Sequence, residues 1–137
     1  MQRQDYVLRL IEQLGAFLRQ AWVLRKGGKP DEAIIAVVRA QETLMGVSAS
    51  EFSQWDLAQQ FDRLTQAEEP RTACEKVFAY AALMDAVADA YRDKDLGPLA
   101  DGAAMFGEGM RALAFESYPS EAGTAQAKVG SARLGAE

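Results

Sequence analysis

Asp85, Asp89 and Asp93 stand at steps of four, so a helix places their carboxylates in one column. Stacked carboxylates can hold a divalent cation or share an acid/base proton. Helical di-iron sites add a Glu-x-x-His unit, and this chain has no histidine. The column therefore reads as a solvated acidic strip, or as a rail for a basic peptide or for the chain's own basic first helix.

The single cysteine, Cys74, falls in the first turn of an expected helix beside Arg71 and Lys76. Cations and a helix N-terminus lower a thiol pKa, but no histidine is present to act as its base. A buried structural cysteine is the expectation. Gly27-Gly28 lies in no phosphate-loop pattern, and Gly102, Gly107 and Gly109 form no dinucleotide fingerprint. No catalytic residue, cofactor or metal ligand is assigned. Trp22, Trp55, Phe52 and Tyr91 are candidate partner anchors, because aromatic side chains dominate interface hot spots. Core packing is the competing reading for each. With Asp85 and Asp89 they make up the candidate partner-binding set.

The elements that carry these residues read as helices throughout. Hydrophobic residues make up 49% of the 137 residues and charged residues 26%, an ordinary globular balance. A first helix over about 4–26 has apolar residues at Val7, Leu10, Ile11, Leu14, Phe17, Leu18 and Ala21. Tyr6, Leu8, Trp22, Val23 and Leu24 widen that stripe, so the helix needs neighbours on more than one side. Gly27-Gly28 ends it, and Pro30-Asp31-Glu32 opens a second helix closed by Gly46. Ser48 and Glu51 have capping-box spacing and predict a third helix from about 49 to 65. Pro70 opens a fourth, to about 93, with a second possible capping box at Thr72–Glu75. Its main face carries Val77, Tyr80, Met84, Val87 and Tyr91, and a second face is alanine-rich, which marks it as central. Leu96-Gly97-Pro98 leads into a fifth helix over about 98–117. Residues 1–119 read as one domain. Residues 120–137 read as an Ala/Gly/Ser-rich tail, mobile or docked as a short arm or helix.

Two stretches resemble tetratricopeptide units. In the first, Phe17-x2-Gln20-Ala21-x2-Leu24 is followed by Ala33, Val37 and Ala40; in the second, Met84-x2-Val87-Ala88-x2-Tyr91 is followed by Ala100, Ala104 and Gly107. Small residues fall where closely packed helix pairs need them, while Gln20, Val37, Met45, Ala104 and Gly97-Pro98 depart from the pattern. The opening QDYVLRLIEQL is similar to the N-terminus of a family of small bacterial proteins with tetratricopeptide-like helices, a resemblance that implies no activity. Together these imply an all-α fold of about five helices in antiparallel pairs with right-handed stacking. Two partial units leave apolar ends open, which leads to the expectation of a homodimer.

Net charge is -5, unfavourable for binding nucleic acid through phosphate neutralisation. Residues 1–29 nevertheless carry Arg3, Arg9, Arg19, Arg25, Lys26 and Lys29 against Asp5 and Glu12, a net of +4, which leaves -9 for the rest. The longest apolar run, Val77 to Met84, is eight residues, against about 20 for a bilayer span. MQRQDY carries no secretory core, so a cytoplasmic protein is expected. The resulting expectation is a non-catalytic protein–protein interaction module. It binds a peptide or protein segment between the first and second helices or beside the fourth. The alternative is a membrane-surface or lipid-binding protein acting through the basic, apolar first helix.

Overall fold

In a computed structural model the chain folds into helices joined by short turns; the structure describes the backbone of residues 2–136 and the side chains of Arg9 and residues 11–131. Seven helices and no strand occur among the described residues: α1 (Gln2–Lys26), α2 (Pro30–Met45), α3 (Ala49–Phe52), α4 (Leu57–Thr65), α5 (Pro70–Asp93), α6 (Gly97–Ser117) and α7 (Ala122–Ala136). The all-α expectation holds, and about five helices is corrected to seven. No described helix is long and apolar enough to cross a membrane.

The first extra helix comes from a break within the stretch expected as one helix over 49–65. Asp56 starts a new helix by a reciprocal capping box. Its carboxylate accepts from the Gln59 N–H at 2.8 Å, and its own N–H donates to Gln59 Oε1 at 2.8 Å. The box expected at Ser48–Glu51 is not made. Ser48 Oγ lies 3.0 Å from Ser50 Oγ, and the Ala49 N–H is taken by the Glu42 carboxylate at 2.8 Å. The second extra helix is α7, formed by residues expected as a mobile or docked tail. It buries Ala122, Ala125 and Val129 against the body, and packs on α5 and α1.

At the centre lies α5, in contact with α1, α2, α4, α6 and α7. Its alanines explain how so many neighbours fit: Ala73, Ala79, Ala81, Ala82, Ala88 and Ala90 are all buried. Close approach is visible at Gly107 on α6. A methyl group there would stand 3.3 Å from the Ala81 carbonyl oxygen and from the Asp85 carboxylate. On α1, Ile11, Leu14, Leu18 and Ala21 form the buried stripe. Tyr6, Val7, Leu8 and Leu10 of the expected stripe lie outside the described side chains.

The α1–α2 and α5–α6 turns close alike. The Lys29 N–H reaches back to the Leu24 carbonyl at 2.8 Å, and the Leu96 N–H to the Tyr91 carbonyl at 3.0 Å. Both turns need one left-handed residue, supplied by Gly28 at φ 76° and by Asp95 at φ 58°. Ion pairs add ties between helices. Buried Glu75 on α5 accepts from Lys128 on α7, both oxygens at 3.2 Å, and from Arg71 at 3.3 Å. Arg25 at the end of α1 grips Asp93 at the end of α5, at 2.7 and 3.3 Å.

Candidate functional site

One concavity of about 410 Å³ opens between α2, α3, α5 and α6. Helical spacing builds its walls. Tyr80, Met84, Val87 and Tyr91 come from one face of α5, Ile34, Val38 and Gln41 from α2, and Leu99, Gly102 and Phe106 from α6. Phe52 reaches in from α3, its ring edge-on to Tyr80 with centroids 6.4 Å apart. No charged side chain lines the groove.

Three of the polar side chains of this site, Tyr80, Gln60 and Gln41, are paired within the chain. Tyr80 donates its hydroxyl proton to Gln60 Oε1 at 2.6 Å. The Gln60 amide in turn donates to the carbonyls of Phe52 at 3.0 Å and Trp55 at 3.1 Å. This relay pins the α3–α4 turn onto α5. Gln41 donates to the Met84 sulfur at 2.9 Å. Tyr80 is 1% exposed, and burial pushes its phenol well above the usual range. It is a neutral donor, not a base. The groove offers mainly apolar contact.

The aromatic candidates separate. Phe52 and Tyr91 both line the groove. Trp55 is half-buried beside it, packed on the core through the α3–α4 turn. Trp22 stands apart on α1, 38% exposed, with the Lys26 ammonium 5.6 Å from its ring centroid.

The acidic column is occupied from within the chain. Asp85 pairs with Arg111 on α6. Asp89 lies 3.1 Å from Arg92 and 3.9 Å from Arg25. Asp93 takes the bidentate grip of Arg25, whose hydrogen bonds hold its carboxyl below the ordinary value. Arg25 thus ties α1, and Arg111 ties α6, to this column on α5, while the Asp89 and Asp93 side chains stay partly in solvent. Among the described residues no group of three or more acidic or cysteine side chains is placed to hold a metal ion. Cys74 is buried, and its thiol is pushed up to about 11, first by burial and then by Glu121 and Glu75.

The cleft between α1 and α2, the other place expected for a peptide, is closed. Only about 10 Å³ remains between Leu14, Phe17, Ala40 and Leu44. Gln60 escaped the sequence reading. Its signal was a glutamine three residues after Leu57 and four before Leu64, on the apolar edge of a helix. No protein-family model matches the chain, and neither the curated proteins nor the solved structures yield a match.

Proposed function

We propose that this chain is a non-catalytic protein–protein interaction module that receives a peptide in the groove between α2, α3, α5 and α6. The carrying observation is an apolar cleft of about 410 Å³ with no charged lining and with Tyr80, Gln60 and Gln41 already paired. An unpaired polar group would ask for a polar ligand; here the surface on offer is mainly apolar. Leu99 at the α6 side is 54% exposed, more than a lone core residue needs. The occupant is an amphipathic helix that lays three or four apolar side chains on Phe52, Met84, Val87 and Phe106. Its flanks are basic, since the chain beyond residue 29 carries a net charge of -9. The αα-hairpins are read as tetratricopeptide-like units, with right-handed pairwise stacking and a cytoplasmic setting as parts of the same proposal.

The test is a selection of displayed helical peptides on the purified protein, followed by methyl NMR with the winning peptide. Basic amphipathic sequences are expected, with shifts at Ile34, Val38, Met84 and Leu99. A Cβ at Gly102 meets nothing within 4 Å, so Gly102→Leu projects into the groove and should abolish binding. Failure to enrich any peptide, or shifts confined to another face, refutes the reading.

A further inference from the structure

The outward face of α1 lies far from the groove in chemistry. Glu12, Ala16, Arg19, Gln20 and Val23 are exposed along it, and with Gly15 they line an open concavity of about 770 Å³. Val23 is 55% exposed and neighbouring Trp22 38%, an apolar display that a solvated helix face does not require. We propose that this face is an antiparallel two-fold interface between two copies of the chain, centred on the Gly15–Ala16 step.

The argument is the symmetry of the charges. In a two-fold contact the same patch must complement itself. A dyad at the Gly15–Ala16 step sets Glu12 level with Arg19 of the partner subunit, and Arg19 level with Glu12 of the partner subunit. Glu12 and Arg19 are seven residues apart, so at 1.5 Å per residue the two ion pairs sit about 10 Å from each other, one on each side of the crossing. Between them the two smallest side chains of the face let the helix axes approach closely. Sliding one helix by a turn, four residues, puts Arg19 level with Ala16 of the partner subunit and Glu12 level with Val23 of the partner subunit, and loses both pairs. Arg19 also has an interaction within its own chain, and a guanidinium's five donors serve both. A lipid surface fits this face less well, because Glu12 is exposed on it and repels anionic headgroups.

Sedimentation equilibrium and light scattering on the full chain test this, with circular dichroism as the check on folding. The wild type is expected to dimerise in the micromolar range. Glu12→Arg and Arg19→Glu should each weaken the dimer by at least about tenfold, through like charges meeting twice. The double variant Glu12→Arg/Arg19→Glu restores the charge match and should return to within about threefold of wild type. Gly102→Leu, which blocks the groove, should leave the dimer intact. A wild type that stays monomeric, a dimer indifferent to the single reversals, or a double variant as weak as the singles overturns the proposal. So does binding of monomer to phosphatidylserine-containing vesicles that Glu12→Arg strengthens, which assigns the face to a membrane surface instead.

Discussion

Two clefts flank α2, and only one of them is shut. Against α1, the side chains of Leu14, Phe17, Leu44 and Leu83 fill the space above Ala40 and leave about 10 Å³. Against α5 and α6, about 410 Å³ stays open. Both clefts begin from tight αα-hairpins with the same turn hydrogen bonds, so hairpin geometry does not explain the difference. Side-chain volume does. On the closed side large aliphatics interdigitate, as dense cores require. On the open side α6 presents Gly102 and Ala103, and the Tyr80–Gln60 relay holds Phe52 and the α3–α4 turn in place as a wall.

The sharpest way to break this comparison is to truncate consecutive residues of α5 that line the two different clefts. Leu83 is wholly buried on the closed side, and Leu83→Ala should cost about 2–5 kcal/mol in chemical denaturation. Met84, half-buried on the groove, should lose distinctly less as Met84→Ala, about 1–2 kcal/mol, because less of its surface leaves water on folding. Equal losses would mean that the groove is core.

Next in size is Tyr80→Phe. It strands the Gln60 oxygen in a buried place and should destabilise the fold by about 1–3 kcal/mol. Loss of protection at the α3–α4 amides in hydrogen exchange would show that the groove wall had loosened. Gly102→Ala works in the opposite direction. It adds a methyl to open space within a helix, so stability should rise by about 0.5–1 kcal/mol in thermal unfolding.

The smallest effect belongs to the Arg25–Asp93 tie between the ends of α1 and α5. Its hydrogen bonds lower the Asp93 pKa below 3.8. The tie therefore contributes in full above that ordinary value and is lost as pH falls through the lower folded one. Asp93→Asn should be less stable than wild type at neutral pH and show a shallower loss of stability below about pH 4. Parallel acid-unfolding curves for the two proteins would contradict this.

Legibility from the sequence followed the range of each interaction. The α5 boundaries were readable because Pro70 pre-sets a first helical φ and the periodic stripe runs without a break to Tyr91. Phe52 and Tyr91 were singled out as aromatics, yet their place in the lining of one groove was not, since 38 residues of chain separate them. The capping box at Asp56 was missed in favour of Ser48–Glu51. Both have acceptable spacing, but Glu42 reaches the Ala49 N–H from the preceding helix. Asp85, Asp89 and Asp93 were read correctly as a column. Which cations would meet them depended on how α1 and α6 lie along α5.

By itself the sequence determined that this chain is helical, where most helices stop, and that the alanine-rich helix opened by Pro70 takes the centre. Those outcomes follow from propensity, caps and periodicity, which act within a few residues. Tertiary structure alone decided that one cleft of α2 closes while the other stays open. It also decided that the last helix docks and that the carboxylate column serves the chain's own arginines. Each of these depends on which distant side chains share a volume, and a volume is filled or left empty only when whole helices are set side by side.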